Sequence, residues 1–144
     1  MLRRCLSLLA LLVVGCSAIP EPTVTPSIDA PSVSADGLLD RAAVAAAIDD
    51  ELDCSSGEVT IDEFDDTVKI VGDCEKVTIS GESVLVVAES IGSLRITGYG
   101  SVVIARSLDE VRIEPGGQAS LVQYEQGAPQ VDNRGEMSVV RKAE

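Results

Sequence analysis

The run "DEFDDT", from Asp62 to Thr67, crowds four carboxylates, Asp62, Glu63, Asp65 and Asp66, onto one short stretch. Clustered carboxylates are what a calcium ion or the acid pair of a glycosidase requires. A weak cation site on Asp62, Asp65 and Asp66 is the chemical reading. The run lacks the Gly-Gly-x-Gly-x-Asp phrase of calcium β-rolls and the sixth-position glycine of an EF-hand loop. A solvated acidic turn is therefore the plainer reading. Arg95 and Arg112 form a second set, seventeen residues apart and in step with Thr78. Side by side they would grip a carboxylate or phosphate, or be neutralised by Glu110 or Glu114. The chain has no histidine, which removes the commonest general base and any His-ligated zinc site. Its aromatic residues are Phe64, Tyr99 and Tyr124 alone, few platforms for stacking a sugar. A formal net charge of −13 opposes nucleic-acid binding, which rests on Lys and Arg neutralising phosphates. These residues imply no cofactor and no metal, and they name no reaction.

The four cysteines divide into two groups. Cys5 and Cys16 belong to "MLRRCLSLLALLVVGCS", where Arg3 and Arg4 precede an apolar run from Cys5 to Val14. A basic start and a short apolar run mark a secretory signal. The run is too short to span a bilayer, which takes about 20 residues of helix. Its ending, "VVGC", resembles the bacterial lipobox. That resemblance implies that residues 1–15 are removed and that Cys16 becomes a diacylated first residue. The mature protein would then sit on the outer face of the cell membrane, held by its lipid. Two acyl chains anchor stably, at about 0.8 kcal/mol per buried methylene. Residues 16–36 hold four of the six prolines with many Ser and Thr and read as a disordered tether. Residues 37–53, "GLLDRAAVAAAIDDELD", are rich in alanine, the best helix former. They are expected to form a capping helix for the repeats beyond residue 53, with Ser34 or Asp36 at its N-terminus.

The elements that would position Asp62 and Arg95 come from a repeat. Aliphatic pairs recur at Val59/Ile61, Val68/Ile70, Val77/Ile79, Leu85/Val87, Leu94/Ile96, Val102/Ile104 and Val111/Ile113. Period-two pairs rich in β-branched residues are short strands with one buried face. Two all-β architectures fit: an antiparallel meander, or a small β-solenoid of the parallel β-helix or β-roll kind. The connections favour the solenoid. Cys74, Ile91 and Leu108 lie seventeen residues apart between strands, as do Val71, Ala88 and Ala105. Hairpin tips would expose such residues to water, whereas solenoid corners stack them inward. The predicted domain, residues 54–124, has about four coils of about seventeen residues, and residues 125–144 close its C-terminal end. Cys54 and Cys74 then fall about one coil apart. Coils stack about 4.8 Å apart, within disulfide reach, and an extracytoplasmic compartment permits the bridge. On one strand row the outward positions read as Lys69, Val86, Val103 and Ser120. An apolar outward pair at Val86 and Val103 needs a cover: the helix, a second copy or an envelope protein.

The Val-x-Ile phrases, the early Cys pair and the closing "QYEQGAPQVDNRGEMSVVR" resemble an actinobacterial family of secreted and lipid-anchored proteins. That family is catalogued only as a domain of unknown function. The resemblance spans about residues 54–141 and implies a fold and a location. It brings no activity. The expectation is a non-enzymatic cell-envelope lipoprotein that presents a rigid acidic β-repeat module for structural or protein-interaction roles. The alternatives are a carbohydrate-active enzyme on envelope polysaccharide and a lipid or small-ligand carrier.

Overall fold

A computed structural model describes residues 36–144. The expected signal peptide 1–15, the expected lipidation residue Cys16 and all but the last residue of the expected tether 16–36 lie outside the described residues. One helix, α1 (Arg41–Ala46), precedes eight strands: β1 (Glu51–Asp53), β2 (Glu58–Ile61), β3 (Thr67–Ile79) and β4 (Leu85–Ile96), then β5 (Val102–Ile113), β6 (Leu121–Gln126), β7 (Gln130–Asn133) and β8 (Val139–Lys142). Every strand pairing is parallel. The chain is a parallel β-solenoid of about five turns. The antiparallel meander is excluded.

Strands β3, β4 and β5 each run along one wall, round a corner and along a second wall. The first wall stacks β1, the first halves of β3, β4 and β5, then β6 and β8. The second stacks β2, the second halves of β3 to β5, and β7. Corner side chains stack as the spacing requires. Cys74 registers with Ile91, and Ile91 with Leu108; their relative exposures are 2%, 1% and 0%. Apolar corners inside a solenoid add to its core, and burying each Ile or Leu contributes about 1.5–3 kcal/mol. Between walls, each coil turns at a left-handed residue: Asp65, Ser83, Gly100, Ala119 and Met137 all have positive φ. The amide N–H of each of the first four donates to the carbonyl of a residue one coil on, beginning with Asp65 to Glu82 at 2.9 Å.

Coil length varies by insertion at corners. The register advances by eighteen residues from Val68 to Val86, but by seventeen from Cys74 to Ile91. Gly72, at φ 89, lies in the irregularity between Ile70 and Asp73 that absorbs the difference. Val71 consequently swings out and is 43% exposed; it does not stack with Ala88 and Ala105 as the seventeen-residue spacing predicts.

Both ends differ from the expectation. Residues 125–144 are not a separate cap. They continue the solenoid through β7 and β8, and the last strand begins at Val139 rather than Met137. The expected 37–53 helix is six residues long, with Asp40 as its N-cap accepting from the Ala43 N–H at 2.9 Å. Glu51–Asp53 is already the first rung, in register with Lys69–Val71. Four acidic residues lie between Asp49 and Asp53. Acids are unfavourable near the negative end of a helix dipole, which suits an early stop. The helix also does not cover the N-terminal end. It lies on the flank against β4 and β5. The Cys54–Cys74 disulfide ties the first coil to the second, with Cα atoms 5.4 Å apart.

Candidate functional site

The strand rows "SVLVVA" and "SVVIA" are apolar on both faces, so the alternation cannot by itself say which face is inside. Register decides. Val68 pairs with Val86 and Val86 with Val103, and Val86 and Val103 are fully buried in the interior with Ile70, Ala88 and Ala105. Val86 and Val103 therefore form no outward interface, and Ser120 also belongs to a buried corner. The outward column is Glu51, Lys69, Val87, Ile104, Gln123 and Arg141, each registered on the next. The eighteen-residue second coil shifts the phase of the row by one residue, and a one-residue slip exchanges the two faces of a strand.

The cover is the segment that carries α1. Val44 and Ile48 pack on Val87 and Ile104, flanked by Leu39, Ala45, Leu85 and Val102. This second core lies outside the coil and is held by polar contacts at its rim. The Leu39 N–H donates to Gln123 Oε1 at 3.0 Å, and Gln123 Nε2 donates to the Leu39 carbonyl at 2.6 Å. Gln123, 1% exposed, thus pairs with a backbone as another strand would. Arg141 Nη2 donates to the Gly37 carbonyl and, at 3.4 Å, to Gln123 Oε1. Arg41 bridges Glu89 and Glu125. Burial lowers its pKa, but hydrogen bonds and charge from Glu125 and Glu89 outweigh that and raise it. Arg41 is charged at every physiological pH. A crevice of about 280 Å³ opens between α1 and the wall, lined by Ala45, Val71, Val87 and the charged Arg41, Lys69 and Glu89.

The predicted acidic cluster does not converge. Among the described residues, no three His, Cys, Asp or Glu side chains are grouped to hold a metal. Asp65 stands at a left-handed turn, φ 56, so the chain reverses between Asp62 and Asp66. Asp62, Glu63 and Asp66, without Asp65, line an open groove of about 420 Å³ at the N-terminal end, with Asp50 and Glu51.

Arg95 and Arg112 are adjacent in register, as the coil spacing predicts. Acids separate their charges: Arg95 reaches Glu114 at 3.2 Å, and Arg112 reaches Asp132 at 3.6 Å and Glu110 at 3.9 Å. Both arginines are half exposed, where such pairs contribute about 0–1 kcal/mol each. They offset like-charge repulsion on a solvated wall rather than form a vacant anion clamp.

Sequence reasoning missed Gln123, Arg41 and Arg141. A glutamine standing where Val87 and Ile104 precede it in an outward column was the available signal, but only in the correct register.

Residues 64–114 match the model of a family described as a protein of unknown function (DUF3060). The match covers β3 to β5 with their connections, less than half of the chain, and brings no activity with it. No curated protein and no solved structure matches the chain.

Proposed function

We propose that this protein is a non-enzymatic envelope lipoprotein, anchored to the outer face of the cell membrane through acylated Cys16. Its solenoid is a rigid, acidic docking module held away from the lipid by the Pro-rich tether. The observation that carries the reading is the continuous in-register stack. Its interior is filled by aliphatic side chains from Cys54 to Val122, and its outward columns neutralise their own charges. Such a body offers long flat faces of fixed spacing. A carrier of acyl chains needs a hollow apolar core, whereas this interior is filled by its own side chains and the groove of about 420 Å³ is lined by Asp50, Glu51, Asp62, Glu63 and Asp66.

Two measurements test this. Metabolic labelling with an alkyne fatty acid should tag the wild-type chain in the membrane fraction, and Cys16→Ser should abolish both tag and membrane retention. An untagged, freely released wild type would remove the anchor from the proposal. Crosslinking on intact cells should capture the solenoid with another envelope component or a second copy; turnover of a purified wall polymer by the wild-type protein would replace docking with catalysis.

A further inference from the structure

Three aromatic residues are few, but the fold does not scatter them. Phe64 and Tyr99 stand on the same edge of the solenoid, each just before the left-handed residue of its coil. The turn amides fix the alignment: Asp65 N–H bonds the Glu82 carbonyl and Ser83 N–H the Tyr99 carbonyl, both at 2.9 Å. The ridge therefore reads Phe64, Glu82, Tyr99, Gln118 and Glu136 on successive coils. Phe64 is 73% exposed and Tyr99 50%. In a chain whose aliphatic residues are mostly buried, that exposure has no packing explanation.

Coils are separated by about 4.8 Å, so the Phe64 and Tyr99 positions, two rungs apart, are spaced by about 10 Å. That is about the length of one disaccharide in an extended β-1,4-linked polysaccharide. In such a chain alternate sugars are flipped, so the same pyranose face returns at every second unit. Two aromatics two rungs apart, Phe64 and Tyr99, meet that face at consecutive disaccharides, through the C–H groups a ring stacks against. Glu82, on the rung between, meets the hydroxyl edge of the flipped sugar, where a carboxylate accepts hydrogen bonds. Gln118 and Glu136 continue the polar register past Tyr99. The acids on the ridge repel anionic polymers, so the polymer is a neutral one.

We infer that the Phe64–Tyr99 ridge is a binding site for a neutral β-1,4-linked glycan. This names the partner class of the proposed docking module, and it stands or falls independently of the lipid on Cys16.

Binding of full-length protein to insoluble β-1,4-glucan and to β-1,4-linked N-acetylglucosamine polymer, with calorimetry on oligosaccharides of increasing length, tests it. The wild type should be retained by at least one polymer and should bind a tetrasaccharide more tightly than a disaccharide. Phe64→Ala and Tyr99→Ala should each weaken binding about tenfold while leaving the thermal melt unchanged, since both side chains are exposed. Val71→Ser, an exposed residue off the ridge, should bind as wild type does. Failure of the wild type to bind either polymer, equal affinity for di- and tetrasaccharide, or undiminished binding by the Phe64 and Tyr99 variants would each overturn the inference.

Discussion

Gln123 shows how one side chain can complete a sheet. Its amide supplies both the acceptor and the donor that the Leu39 backbone needs. Gln123→Ala leaves two backbone groups without those partners and should cost about 1–3 kcal/mol in urea denaturation. Hydrogen exchange should rise at Leu39–Ile48 before it rises in β4 or β5. The glycines after strands carry a different constraint. A Cβ on Gly98 would lie 1.9 Å from the Gly81 carbonyl oxygen, and one on Gly81 would lie 2.0 Å from that of Glu63. The coils touch backbone to backbone there. Gly98→Ala must push two coils apart and should destabilise by about 1–3 kcal/mol or more, read as a lowered melting temperature. The glycine positions were visible in the sequence as a seventeen-residue echo. Their reason, the absence of room for a methyl group, belongs to the stack and is not a local property.

Among the elements, β4 and β5 were legible as strands covered on both faces, but the residues under the cover were not. "VLVVA" satisfies period two in either phase, and the inserted Gly72 a coil earlier decides which phase is inside. The two phases make opposite forecasts. Val87→Ser with Ile104→Ser should release α1, abolish exchange protection at Val44 and Ile48, and leave the parallel ladder folded. Val86→Ser with Val103→Ser places hydroxyls in the filled interior and should unfold the domain, since core truncations and unpaired buried polar groups each cost about 2–5 kcal/mol. The helix was overextended for a related reason. Alanine propensity runs from Ala42 to Ala47, but propensity is a weak prior, and Glu51–Asp53 gains a full strand partner in β3.

For the molecule as a whole, parallel stacking, the disulfide and an approximate coil length were legible from spacing, because a solenoid converts sequence distance into spatial contact. Cys54 and Cys74, twenty residues apart, are the clearest case. The extra residue at Gly72 was not legible. Nor was the number of turns, since the last turn keeps the stack while breaking the aliphatic phrase: Val131-Asp132-Asn133 registers on Val111-Arg112-Ile113, so Asn133 stands where the phrase held Ile. Cys54→Ser with Cys74→Ser should lower stability by about 3 kcal/mol for a loop of this length. In a repeat body whose coils contact only their neighbours, that loss falls first on β1 and β2; proteolysis of the reduced protein should begin there and reach β5 last.

The contact between Leu39 and Gln123 closes a separation of 84 residues, while almost every other bond joins adjacent turns. A chain emerging N-terminus first has Val87 and Ile104 in place for Val44 and Ile48 once β5 is made, but Leu39 gains its amide partner only when Gln123 has been delivered. Until that moment the cover over Val87 and Ile104 lacks the amide that fastens its backbone. The first part of the domain to be made is the last to settle.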